Sequence, residues 1–289
     1  MLSLRETILH FKKEGRALGH FNFSDSNQLT AIAQASRETS LPVIAGLSEA
    51  ERGYFPLHHA RALVNAYQKD GIEIYLNADH TYHIDLAKAA IDTGVDSLVV
   101  DGAALSLAEN IKLTLQAVAY AHSKKRFLGG SHHVLVEGEL GYIGTSSKPL
   151  DSLPAGVSVE NLTTPEDAKK FVEETGVDCF APAVGNVHGM LKNAAEPRLN
   201  PTRVKEVAQA TGVPLVLHGA SGNTPEDILA CIQAGVAVVH INTELRALYR
   251  DSLRRSLAGE ETTPYKFLEP AVEEMKEFLV GKMRMFANR

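Results

Sequence analysis

Cysteine is nearly absent: the 289-residue chain has only Cys179 and Cys231. Two thiols so far apart form neither a disulfide framework nor a cysteine-based zinc motif, so a cytoplasmic, reducing location is the expected one. An excess of positive charge is also missing. The net charge is -6 and no Lys/Arg run stands out, which argues against bulk nucleic-acid binding but allows local charge to hold a phosphate. No window approaches the ~18 continuous apolar residues of a membrane span, so no membrane partner is expected. The opening segment spaces Leu4, Ile8 and Phe11 helically and lacks the apolar stretch of a signal peptide. No linker, low-complexity tract or long repeat divides the chain. What is present, 44% hydrophobic and 22% charged residues, suits a folded protein with a large core, expected as one domain over 1–289.

Eight short apolar runs alternate with helical patterns, at 19–23, 42–48, 72–79, 97–102, 132–140, 179–185, 214–219 and 237–242. Three of the helices carry explicit boundaries. Thr164-Pro165 opens one that Gly176 closes; Asn200-Pro201 and Gly212 bracket the next; Thr224-Pro225 and Gly235 bracket a third. The alternation predicts an α/β fold, a single-domain (β/α)8 TIM barrel, with an open doubly wound sheet as runner-up. The barrel is preferred because polar residues recur where the strands end, and those ends form a barrel's catalytic face. A C-terminal amphipathic helix, about 265–285, is expected to pack on the barrel or on a partner.

Three histidines follow separate apolar runs: His80 in IYLNADHTYH, His188 in CFAPAVGNVHGM and His218 in VPLVLHGASGN. On parallel strands of one closed sheet, all three would meet at one rim, and three neutral imidazoles with an open fourth position make a catalytic zinc site. Asp79, next to His80, is placed for general acid/base work, although adjacent strand residues normally point apart. The plainer account is that Asp79 caps a helix and that each histidine is a surface or core residue bonded to a nearby carbonyl. The recurrence on three strands favours the metal site. His132 and His133 remain open as further ligands; His10, His58, His59 and His122 look like helix-face residues.

The loop HGASGNTPEDI leads into a helix and offers backbone N–H groups to a phosphate. Asn242 and Thr243, after the last strand, add to it. In VEGELG, Glu137 and Glu139 share one side of a strand. They are read as partners of imidazoles, as a second cation site, or as solvated carboxylates.

These motifs, in this order, resemble the class II (zinc-dependent) fructose-bisphosphate and tagatose-bisphosphate aldolases. The likeness also covers FNFSDSNQLTAIAQAS, LPVIAGLSEAE, VDGAALSLAENIKLT and INTELR, from about Leu4 to the C-terminal helix. It implies a TIM barrel with His80, His188 and His218 as ligands of one zinc ion and Asp79 as the catalytic acid/base. It places Gly189, Gly219, Ser221, Asn242 and Thr243 around the phosphate and ketose, Ser48 and Asn22 near the substrate, and Glu139 close to the metal. A monovalent cation is open as a second ion. The implied reaction is reversible C3–C4 cleavage of a phosphorylated ketose to dihydroxyacetone phosphate and an aldehyde, without a Schiff-base lysine, in a homodimer or homotetramer.

Three departures qualify it. The first-ligand motif reads Asn77-Ala78-Asp79-His80-Thr81 instead of His-Leu-Asp-His-Gly. Residues 143–150 lack the family's acidic loop. Val238 and His240 stand for a family Lys and Asn. His240 is therefore expected to contact substrate or take over part of the proton transfer. The alternatives are an unphosphorylated or unusual ketose, a zinc epimerase or hydrolase on the same barrel, or a catalytically silent sugar-phosphate binder.

Overall fold

The computed structural model describes residues 1–124, 133–144, 149–153, 161–193 and 196–289. Eight parallel strands close on themselves. They are β1 (Leu18–Asn22), β2 (Val43–Leu47), β3 (Ile74–Thr81), β4 (Ser97–Val100), β5 (Leu135–Leu140), β6 (Cys179–Pro182), β7 (Leu215–Leu217) and β8 (Val236–Ile241). Chain order is also the order around the ring. The pairing of β1 with β8, Leu18 beside Val238 and His20 beside His240, is the contact an open sheet lacks. It decides for the barrel over the doubly wound alternative.

The first helices are α1 (Leu4–Lys13), α2 (Ser26–Thr39), α3 (Glu49–Tyr54), α4 (Leu57–Lys69), α5 (Ile84–Thr93) and α6 (Leu107–Ser123). The remainder are α7 (Pro165–Thr175), α8 (Pro201–Thr211), α9 (Pro225–Ala234), α10 (Thr243–Ser256) and α11 (Pro264–Phe286). The Pro-led helices start where their sequence signals lie. The Thr164 hydroxyl accepts from Asp167 N at 3.1 Å, and Gly176, at φ 69, ends α7 in the left-handed conformation.

The strands are covered on both faces, so they read as apolar runs rather than alternating ones: Val43, Ile44, Leu98, Val99 and Val100 are all buried. Polar residues two apart interrupt this inside the barrel. His20 and Asn22 of β1 reach Asn77 and Asp79 of β3 at 3.1 and 2.9 Å. The apolar stripe of α11, with Met275, Leu279, Met283 and Phe286 buried, packs on α2 and α10. Ala17 N donates to Phe286 O at 3.0 Å. The barrel itself therefore takes that stripe. Among the described residues, no helix is long and apolar enough to cross a membrane.

Candidate active site

A cleft of about 200 Å³ opens at the C-terminal ends of the strands. Around its wall stand Asn22 at the end of β1, Ser48 after β2, and Asp79 and His80 on β3. His188 and Gly189 follow β6, while His218, Gly219 and Ser221 follow β7. His240, Asn242 and Thr243 complete it from β8 and the start of α10. Glu139 is buried just beneath, its Oε2 3.5 Å from His80 Nδ1.

Asp79 and His80 reach the same rim because the strand is irregular there. The β3–β4 register breaks between Ala78 and Thr81, and His80 has φ 21. Such bulges re-aim side chains, and such backbone strain collects at functional sites. The helix-cap account of Asp79 fails, since His83 is the residue before α5. His188 is not at a strand end, contrary to expectation: β6 stops at Pro182, six residues earlier. The intervening loop is held by side-chain and backbone bonds instead. Asn186 Oδ1 accepts from Val184 N at 2.8 Å, Asn186 Nδ2 donates to His218 O at 2.9 Å, and His188 N donates to Ile143 O at 2.8 Å. Gly219, at φ 59, lets this loop touch the one after β7, because a Cβ there would lie 2.4 Å from Val187 O.

The imidazoles of His80 and His218 form one hydrogen-bonded chain. Asp101 Oδ2 lies 2.9 Å from His80 Nδ1, His80 Nε2 is 3.2 Å from His218 Nδ1, and His218 Nε2 is 2.6 Å from Glu137 Oε1. The two outer nitrogens are pinned by carboxylates. The two inner ones face each other at hydrogen-bond distance, which requires one shared proton between them. His188 Nε2 and Glu139 Oε2 are buried without a hydrogen-bond partner. Ligand atoms of His80, Glu139, His188 and His218 all lie within 4.8 Å of one another.

Electrostatics point the same way. Burial and the Asp101 charge hold the Glu139 carboxyl well above the usual range. Burial, then Asp79, pushes Glu137 up to about 8. Burial opposes the charge on His80, yet Asp79, Asp101 and Glu139 raise it to about 10. Burial and the His80 charge lower His218 to about 3. Carboxylates crowd a site in which one imidazolium is the local cation. A divalent metal taking the place of the shared proton, with carboxylates orienting its histidine ligands from behind, fits this donor set.

Asp79 Oδ2 accepts from Asn22 Nδ2 at 2.9 Å, while Oδ1 is buried without a hydrogen-bond partner. Burial opposes its ionisation, but the neighbouring His80, His20 and His218 and the Asn22 bond hold it well below the usual carboxylate range. Arg52 fixes its backbone, donating to Asp79 O at 2.7 Å. His240 Nδ1 lies 3.6 Å from Asp79 Oδ1. Its ring stacks on His20 at 3.5 Å and 5°. Gly46 makes room for that stack, since a Cβ there would lie 2.2 Å from the His20 ring.

Sequence reading missed several members of the site: Asp101, Glu49, Tyr82 and Arg246 all line the cleft. Asp101, one residue past β4 and inside the quoted run at 97–102, had the same strand-end signal as the histidines. His133 is not a member. With His122 it faces Asp178, at 3.0 Å from Oδ1, and Asp178 is tied to Arg5 of α1. His132 lies outside the described residues, as do 145–148, the middle of the segment expected to lack an acidic loop. Glu137 and Glu139 are buried, which rules out the solvated alternative.

Known proteins share both sequence and shape with this chain. The family model of class-II fructose-bisphosphate aldolase matches residues 2–289. Fructose-bisphosphate aldolases of Staphylococcus epidermidis and Staphylococcus aureus are each 33% identical over 294 residues, covering 100% of this chain and 98% of those proteins. The crystal structure of the YdjI aldolase from Escherichia coli K12 superposes with a TM-score of 0.83 at 29% identity, covering 99% of this chain and 97% of that one. With its closed parallel barrel and full-length match, the chain belongs to the class II fructose-bisphosphate aldolase family, a family of carbon–carbon lyases.

Proposed function

We propose that the protein is a zinc-dependent aldolase that reversibly cleaves the C3–C4 bond of a phosphorylated ketose to dihydroxyacetone phosphate and an aldehyde. The observation that carries this reading is Asp79 Oδ1, buried without a hydrogen-bond partner and 3.7 Å from His80 Nε2, where three imidazoles converge. His80, His188 and His218 would hold the metal, and a nitrogen-rich, thiolate-free set with an open position suits zinc. When bound, the ion supplies Lewis acidity to the substrate oxygens beside the bond that breaks.

The protein's own groups do the rest. Asp79 takes the C4 hydroxyl proton at Oδ1 in cleavage and returns it in synthesis. Asn22, bonded to Oδ2, and Arg52, bonded to the backbone, keep that oxygen aimed. His240 faces the same substrate hydroxyls. Gly189, Gly219, Ser221, Asn242 and Thr243 surround the phosphate. Asn242 makes no side-chain cap to α10, leaving first-turn N–H groups for an anion. Ser221 Oγ, accepting from Glu244 N at 3.4 Å, ties the two loops together.

The test is dihydroxyacetone phosphate release from a panel of ketose phosphates, with and without a chelator. Chelator-sensitive release supports the reading, and no release by metal-loaded protein across the panel rejects it.

Two further results are expected. Asp101→Asn weakens zinc binding by about 10–100-fold, the usual effect of removing a carboxylate behind a histidine ligand. A competition titration against a chelator measures it, and unchanged affinity would refute the role. Zinc loading should also release a proton from His80. Its folded pKa of about 10 lies above the unfolded value, so the metal-free protein holds this proton at neutral pH. The associated stability is complete below about 6.5 and is lost as pH rises through about 10. Zinc affinity of the folded protein should therefore rise by roughly tenfold per pH unit below that folded value of about 10. Calorimetry in two buffers of different ionisation enthalpy reads the proton directly.

A further inference from the structure

At the N-terminal ends of the strands, opposite the cleft, residues from three elements converge. His122 lies in the last turn of α6. His133 comes just before β5, and Asp178 immediately precedes β6. The two imidazoles pack edge to face with centroids 4.0 Å apart. Both bring Nε2 to one carboxylate oxygen: His133 Nε2 is 3.2 Å from Asp178 Oδ2, and His122 Nε2 is 3.6 Å from the same atom. Ligand atoms of the three residues all lie within 4.8 Å of one another.

Asp178 does not need the histidines to be satisfied. Its Oδ2 accepts from Val136 N at 2.9 Å, and its Oδ1 is paired with Arg5 of α1. The 3.6 Å separation from His122 is also too long for a hydrogen bond. It is instead close to the spacing of two donor atoms on a tetrahedral zinc ion, about 3.3–3.5 Å for bonds of about 2.0–2.1 Å. The backbone bond from Val136 uses one lone pair of Oδ2, fixes its direction and leaves the other lone pair for a metal. The carboxylate is buried, while the His122 and His133 side chains are 40% and 28% exposed. An ion can therefore enter from solvent and complete its shell with water. The C-terminal end of α6 adds a partial negative charge that favours a cation, and a set of two imidazoles and one carboxylate suits zinc.

Arg5 is the competing cation. Its side chain is 40% exposed, so the guanidinium has solvent to move into when a divalent ion takes the carboxylate.

We propose that His122, His133 and Asp178 form a second zinc site, distinct from the cluster at the cleft, which ties α6 to the starts of β5 and β6 and displaces Arg5 from Asp178. The site shares no residue with the cleft, so it stands apart from the aldolase reading.

The test is zinc content after equilibrium dialysis, with affinity from calorimetry, on the full chain titrated with zinc chloride. His122→Asn/His133→Asn is expected to bind one ion fewer per chain than wild type and to keep its activity. His122→Asn alone, at a half-exposed position, should weaken the second site by at least about tenfold. Arg5→Gln removes no ligand and should tighten it by about tenfold, since a competing charge is gone. Equal zinc content in wild type and the double variant overturns the proposal. If the double variant unfolds, the single variant decides: second-site affinity equal to wild type in His122→Asn overturns the proposal too. Unchanged affinity in Arg5→Gln overturns the displacement of Arg5. A wild type that binds a single ion and loses it in the double variant sinks the metal at the cleft and supports this site.

Discussion

Asp79→Asn should lower kcat/KM by about 10²–10⁴-fold, the range for loss of a positioned acid/base, with fold and metal content preserved. The amide has nearly the shape of the carboxylate, and its oxygen can still accept from Asn22 Nδ2 where Oδ2 does now. The backbone bond from Arg52 is untouched. What is lost is the free carboxylate oxygen that His80, His20, His218 and Asn22 keep ionised despite its burial. Kinetics paired with zinc stoichiometry separates this from collapse of the site. A variant within tenfold of wild type would show that Asp79 is not the base. If activity and zinc fall together, Asp79 acts mainly by holding the ligand cluster.

Removing the metal should have the second large effect. Activity should fall to background in chelator and return on adding zinc. The folded state should also weaken. An ion bound only by the native protein stabilises it by about 4 kcal/mol at a thousandfold excess over Kd, on the order of 10 °C in Tm for a domain of this size. The reason for expecting so much lies in the cluster itself. Glu139 Oε2 is buried without a hydrogen-bond partner, and Asp79, Asp101 and Glu139 crowd around the single His80 charge. Thermal unfolding of stripped and reconstituted protein measures the difference. Equal melting temperatures and equal activity after verified stripping would refute the metal centre.

Sequence reading located the barrel well because its signals are local. Each of the eight apolar runs overlaps a strand, and Thr-Pro, Asn-Pro and Gly punctuate the helices through backbone chemistry that needs no tertiary context. The twelve residues from Asn22 to Thr243 expected at the site, several of them from the family resemblance, all line one cleft, most of them because strand ends share a face in any parallel barrel. The misses have physical causes. His188 sits in a loop whose path depends on Asn186 bonding the backbone of a different strand's loop, and no periodicity encodes that. His133 looked eligible by residue type but belongs with Asp178.

The sequence by itself determined the eight strands and the Pro-led helices in their order, because strand propensity, helix caps and apolar spacing act within a few residues. Only the tertiary structure decided that the sheet closes, through pairing of β1 with β8. Only it turned Asp79 and His80 to one side, through a register break against β4. It also set which carboxylate stands behind which imidazole, Asp101 behind His80 and Glu137 behind His218. Those pairings span 21 and 81 residues of chain. They form because burial in one small, water-poor space leaves each polar group no better partner than the one opposite it.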